Sequence, residues 1–199
     1  MDFFDRLETA RARWNVLEHP FYLRWSAGEL TAQELAVYAG EYRHAVEALA
    51  DGLAAAGLEE HAGEEAGHVK LWDDFARAVG SDAGRPPRDQ TAACVEAWTA
   101  GRDMLEGLAV AYAIESGQPE ISRVKLDGLI RHYGVDEGPA TAYFELHAEL
   151  DHEHAARSRE LIEAHAQTAD EPRLLELAEG ALRGNWTLLD GVSAPAAAA

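Results

Sequence analysis

The chain has a single cysteine, Cys94, among 199 residues. An intrachain disulfide, a cysteine-based zinc site and an iron–sulfur cluster held by this chain alone are thereby excluded. Basic residues are also scarce: 17 Lys and Arg stand against 36 Asp and Glu, a formal charge of −19. So acidic a surface argues against nucleic-acid or anionic-membrane binding, although some of the acids can serve as cation ligands. No stretch approaches the ~20 apolar residues that span a bilayer. The opening MDFFDRLETARARW carries acids where a secretory signal has a basic region. A soluble, cytoplasmic protein is the expectation. Strand-like alternation and internal repeats are missing as well.

Helical periodicity is what the sequence does have. Apolar content of 47% is enough for one domain with a real core. Residues 2–17 place Phe3, Phe4, Leu7, Ala10 and Trp14 at helical spacing. An irregular connector over 17–30 holds a short helical piece between Pro20 and Gly28. Thr31 and Glu34 then form a capping box that opens a helix to about Ala56. Further helices are expected over 58–79, 91–117, from Pro119 to Tyr133, over 139–166 with Pro139 in the first turn, and over 171–190. The Gly- and Pro-rich stretch 80–90 reads as a loop. The reading is one all-α domain of about seven helices over 1–190, followed by a disordered Ala-rich tail over 191–199.

Three histidines fall within YFELHAELDHEH. At 100° per residue, His147, Asp151 and His154 lie within about 60° of one another, whereas His152 points to solvent. A polar, half-exposed face is the plain alternative, but Tyr143, Phe144 and Leu150 make this helix semi-buried, and buried polar groups need partners. HAGEEAGH supplies Glu65 and His68 at E-x2-H spacing, with Glu64 a geometric competitor and His61 one turn earlier on the same side. Glu115 ends the uncharged run from Leu108 to Ile114, so it is either a solvated helix end or a buried acid that needs a cation. Glu47 is a further candidate beside Val46 and Leu49. Mixed imidazole and carboxylate donors suit iron or manganese better than a closed zinc site. Six or seven donors are too many for one ion, and two ions bridged by a carboxylate is the economical arrangement.

These residues carry a resemblance. YAIESGQPEISRVKLDGLIRHYG and YFELHAELDHEH, with LEHPFYLRWSAGELTAQELAVYAGEY and HVKLWDDFARAVG, resemble the haem-oxygenase-like dimetal oxidases. Within that group the likeness is to the self-sacrificing para-aminobenzoate synthases related to the chlamydial death-domain-associating protein, over about residues 17–165. The resemblance implies a seven-helix haem-oxygenase-like bundle without haem. It implies two transition-metal ions, Fe/Fe or Fe/Mn, on Glu65, His68, Glu115, His147, Asp151 and His154. O2 and an external reductant would complete the reaction. It further implies that Tyr22 is cleaved from the chain to become the aminobenzoate ring, that Lys125 gives up its amino nitrogen, and that Tyr38 and Tyr143 relay radicals. Without it, Tyr22 reads as a packing aromatic and Lys125 as an exposed helix lysine.

Two departures stand out. The segment before His68 is shorter than in the chlamydial protein, which leaves Glu64 and Glu65 both open as its partner. Glu47 occupies a position that is a ligand in some of these oxidases, such as the alkene-forming fatty-acid decarboxylases, but not in the chlamydial protein. Other readings keep the fold: a dimetal oxidase of a small molecule (N-oxygenation or oxidative C–C cleavage), or a metal-free enzyme like the thiaminase II group or the pyrroloquinoline-quinone synthases. The thiaminase nucleophile is a cysteine, and Cys94 sits at the start of a helix away from the expected pocket. A non-enzymatic interaction protein would show an exposed apolar helix face. A homodimer is left open.

Overall fold

The computed structural model describes residues 2–82, 84–165, 167 and 169–193. Among them are nine α-helices: α1 (Phe3–Arg13), α2 (Pro20–Ala27), α3 (Ala32–Ala55), α4 (Glu59–Ala78), α5 (Asp89–Trp98), α6 (Met104–Glu115), α7 (Gln118–His132), α8 (Ala142–Ala164) and α9 (Glu171–Ser193). A 3₁₀ turn, Val16–Glu18, links α1 to α2, and no strand occurs among the described residues. None of these helices is long and apolar enough to cross a membrane.

Local chemistry sets most of the boundaries. The Thr31–Glu34 capping box forms as expected, and Asp2 with Asp5 makes a second one on α1. His19 caps α2 by accepting the Phe21 N–H on Nδ1 at 3.0 Å, Pro20 takes the first helical position, and Gly28 ends the helix at φ 72°. Three expectations need correction. The helix anticipated over 91–117 is two helices. The Asp103 side chain accepts the Glu106 N–H at 3.0 Å and caps a new start, while Gly101 lies so close to Gly107 that a Cβ there would meet its backbone N at 2.8 Å. Pro139 lies in the turn before α8, where the Gly138 N–H donates to Thr141 Oγ1. Finally, Gly191–Ser193, assigned to the tail, continue α9 with Gly191 and Val192 buried; 194–199 lie outside the described residues.

α6 is buried on all sides from Glu106 to Glu115, flanked by α8 and α9. α3 packs on α4, and α7 packs on both α2 and α8. A large aromatic core, with Tyr22, Trp25, Tyr38, Tyr42, Trp72 and Phe144, fills the space between these pairs. The large apolar side chains exposed among the described residues are Leu23 and Ile130, too few for a broad apolar face.

Candidate metal centre and the buried lysine

α4 and α8 run antiparallel across the interior and present the same pattern to each other. His61, Glu65 and His68 on α4 repeat the i, i+4, i+7 spacing of His147, Asp151 and His154 on α8. The His61 ring lies 4.3 Å from that of His154, and the His68 ring 4.8 Å from that of His147, measured between centroids. Glu115, the last residue of α6, enters from the side, with its Oε1 2.7 Å from His61 Nε2.

Two overlapping donor groups result. His61, Glu65, Glu115 and His154 each offer one atom within 4.8 Å of the others, as do Glu65, His68 and His147. Glu65 belongs to both: its Oε1 lies 3.2 Å from His68 Nδ1 and 3.6 Å from His154 Nδ1, and its Oε2 3.8 Å from His147 Nε2. Asp151 stands beside them, Oδ1 at 3.9 Å from His154 Nδ1. These atoms are close yet unaligned for hydrogen bonding. His61 Nε2, Glu65 Oε1, His68 Nδ1, His147 Nε2, His154 Nδ1 and both carboxylate oxygens of Glu115 and of Asp151 are buried without a hydrogen-bond partner. Each such atom costs about 1–3 kcal/mol. Lone pairs that converge in space while missing one another are what cations would satisfy, so the donor set fits two transition-metal ions.

The other ring nitrogens are fixed from outside. His147 Nδ1 donates to the Tyr143 carbonyl at 2.7 Å, which leaves the Nε2 lone pair facing Glu65. His154 Nε2 donates to Glu64 Oε2 at 3.0 Å, which leaves Nδ1 facing the cluster. Glu64 and Glu65 therefore divide the work between them: Glu65 faces the cluster, and Glu64, half-exposed, orients His154 from behind.

The electrostatics are those of an acidic cluster short of positive charge. Burial, then Glu65 and Glu64, push the Glu115 carboxyl well above the usual range. Burial, Glu115 and Glu65 push Asp151 up to about 9, with Lys125 opposing them. Burial also pushes Glu65 up, but His147 and His68 together outweigh it and hold that carboxyl well below the usual range. Burial lowers His61 and His154, so both imidazoles are neutral and free to donate lone pairs.

One candidate ligand is left out of the cluster, and two further residues are drawn into the interior around it. Glu47 is not brought to the cluster: its half-exposed carboxylate pairs with Arg43 at 2.7 Å, because it lies on the flank of α3 between the buried Val46 and Leu49. Lys125 is not an exposed helix lysine but is wholly buried. His61 joins the donors, its spacing to Glu65 and His68 duplicating the α8 motif. His152 is exposed as expected. Cys94 is buried in α5, and burial pushes its thiol up, contrary to what a nucleophile needs.

Lys125 ends in a box of rings. Its Nζ lies 4.5 Å from the Tyr42 ring centre, 5.5 Å from that of Tyr22, and 5.8 Å from those of Tyr38, Trp72 and Phe144. Desolvation lowers its ammonium to about 7, with Asp151 opposing. The Tyr22 and Tyr38 hydroxyls are 2.7 Å apart. From Tyr38 the rings continue to Trp72 (6.0 Å), Tyr143 (4.8 Å from Trp72) and His147, on which Tyr143 stacks at 3.9 Å. Sequence reasoning missed Trp72 and Tyr42; nothing in their spacing separates them from ordinary core aromatics. The Trp25 indole donates to the Lys125 carbonyl at 3.1 Å, and Gly128 leaves it room: a Cβ there would sit 2.4 Å from Trp25 Nε1.

Residues 30–186 match the family described as iron-containing redox enzymes. A 4-aminobenzoate synthase of Chlamydia muridarum is 31% identical, over 98% of this chain and 92% of the relative. One from Nitrosomonas europaea is 28% identical, over 89% and 85%. Among solved structures, a domain of unknown function with a haem-oxygenase-like fold from Shewanella denitrificans superposes with a TM-score of 0.81 at 20% identity, covering 97% of this chain and 92% of that one. A TenA homologue from P. horikoshii gives 0.77 at 15%, covering 96% and 98%. At such identities these structures speak for the fold alone. With its donor cluster on α4, α6 and α8, the chain belongs to the iron-containing redox enzymes and has the haem-oxygenase-like fold.

Proposed function

We propose that this protein makes 4-aminobenzoate from its own side chains, with Tyr22 supplying the ring and Lys125 the amino nitrogen. O2 is the oxidant, and an external reductant supplies electrons. The observation that carries this reading is the 5.5 Å between Lys125 Nζ and the Tyr22 ring centre, both groups being wholly buried. The relatives named 4-aminobenzoate synthase, which match nearly the full length, support it.

In this reading Glu65, His68, Glu115, His147, Asp151, His154 and also His61 would hold two transition-metal ions, Fe/Fe or Fe/Mn, Glu65 being the residue common to both donor groups. When bound, such ions supply the redox chemistry that O2 activation requires. The remaining work falls to the chain. Glu64 and the Tyr143 carbonyl hold His154 and His147 in the tautomers that aim lone pairs inward. The aromatic walls leave a large fraction of Lys125 as the neutral amine near pH 7, the form with a free electron pair. Burial keeps Tyr22 and Tyr38 protonated, and the contact between their hydroxyls gives Tyr22 a neighbour to accept its phenolic proton. Tyr38, Trp72 and Tyr143 form the relay between Tyr22 and His147.

The test uses metal-loaded, reduced protein exposed to O2. Wild type releases less than one aminobenzoate per chain and loses the corresponding mass. Tyr22→Phe and Lys125→Arg release none. Continued O2-dependent release from both variants overturns the proposal.

A further inference from the structure

Six polar atoms outside the acidic cluster share one property. Lys125 Nζ, Ser122 Oγ, Gln118 Oε1, Tyr42 OH, Asn185 Oδ1 and Arg11 Nε are buried without a hydrogen-bond partner among the described residues. Three belong to α7 at i, i+4 and i+7, hence on one face. Tyr42 bridges the file. Lys125 Nζ stands over its ring, and burial pushes the Tyr42 phenol up, with Gln118 and Asn185 beside its hydroxyl opposing that shift. Asn185 then lines a cleft of about 230 Å³ between α1, the α6–α7 turn and α9, together with Arg11, Trp14, Gly117, Ile121 and Leu182. Buried polar atoms in native folds find partners, and those that protein does not satisfy are satisfied by water.

We propose that Ser122, Gln118, Tyr42 and Asn185 form a hydrated passage from this cleft to Lys125, a route by which water and protons reach the amine. Geometry makes it a separate entrance. The metal cluster lies on the α4 and α8 side of Lys125, whereas the file leaves along α7 towards α9. Five aromatic rings surround the amine, so protons reach it only where polar groups lead out, past Asp151 on the cluster side or along this file. Gln118 and Asn185 are positioning residues: they hold water and touch no reacting atom.

The chain's own composition provides the assay, because Lys70 and Lys125 are its only lysines and the Lys70 side chain is exposed. Cyanate is small enough to follow water. The neutral amine attacks the carbon of isocyanic acid, a nitrogen–carbon bond forms, and an amine proton moves to the reagent nitrogen, giving a urea one HNCO heavier. Metal-free protein is treated with cyanate, and both lysines are followed by peptide mass spectrometry. The expected result is that wild type is labelled at Lys125 as well as Lys70. Asn185→Leu and Gln118→Leu plug a close-packed interior and slow Lys125 by about tenfold or more relative to Lys70. Asn185→Ser, short and polar, leaves the ratio at or above that of wild type. Asn185 is only partly buried, so its leucine variant keeps the fold and decides the matter even if Gln118→Leu does not. An unchanged Lys125/Lys70 ratio in Asn185→Leu, or no labelling of Lys125 in wild type, overturns the passage. No turnover is involved, so this outcome is independent of whether the protein makes aminobenzoate.

Discussion

Asp151→Asn makes a metal-free protein more stable while damaging its centre. The Asp151 carboxyl, 1% exposed and pushed up to about 9 from 3.8, stays protonated in the fold at neutral pH and ionises when the chain unfolds. Between those two values the folded state binds the extra proton, so stability falls as pH rises, by about 1.4 kcal/mol per unit. At pH 7 the accumulated penalty is about 4 kcal/mol. Asparagine removes the titration but leaves an amide that must find partners, at a cost of about 1–3 kcal/mol. The expected net gain at pH 7 is thus about 1–3 kcal/mol, widening by about 1.4 kcal/mol per pH unit from pH 5 to 8.5. Urea denaturation of chelator-treated wild type and variant at pH 5, 7 and 8.5 measures it, and adding Mn²⁺ should reverse the order, since the variant lacks an anionic donor. A variant less stable than wild type at pH 8.5, or an advantage that does not grow with pH, would refute the reasoning.

Lys125→Met tests the opposite sign. Its ammonium falls from 10.5 to about 7 on folding, so the unfolded chain holds the extra proton between those values and stability rises with pH. The methionine variant should gain about 3–5 kcal/mol at pH 7, and a denaturation series should show the gain vanishing as pH approaches 10.5. Glu64→Ala should bind Mn²⁺ about 10–100-fold more weakly in calorimetry, with an unchanged melting temperature for the metal-free form, because Glu64 only orients His154 at the surface. His61→Ala and His68→Ala each remove a donor from a different group, so on the proposed two-ion reading elemental analysis should find metal content falling towards one ion in each, and Glu65→Gln should depress both.

The α8 half of the site is legible in the sequence because helical angle alone gathers His147, Asp151 and His154. Glu115 is legible because it ends an uncharged run. Choosing between Glu64 and Glu65 is not a question of spacing: adjacent helix positions differ by 100°, and only the docking of α4 against α8 says which one faces inward. Glu47 shows the converse. Apolar neighbours in sequence do not make a side chain inward-facing when Val46 and Leu49 straddle it on the helix surface. His61 was available in principle, since H-x3-E-x2-H on α4 mirrors H-x3-D-x2-H on α8, and the symmetry is visible once both are written out. The division of 91–117 into α5 and α6 was hidden because no proline marks it; a cap at Asp103 and a close approach at Gly101 do.

The contact of Trp25 with Gly128 matters most if the protein reacts only once. An ordinary enzyme meets its substrate repeatedly, and a poorly seated encounter is corrected by the next. Here, on the proposed reading, both reactants are anchored to helices, Tyr22 on α2 and Lys125 on α7, and the spacing between those helices is their only opportunity to meet. Trp25, wedged over Gly128 and bonded to the Lys125 carbonyl, works as a gauge block for that spacing. A methyl group at position 128 would change the yield of the whole population rather than the speed of any cycle.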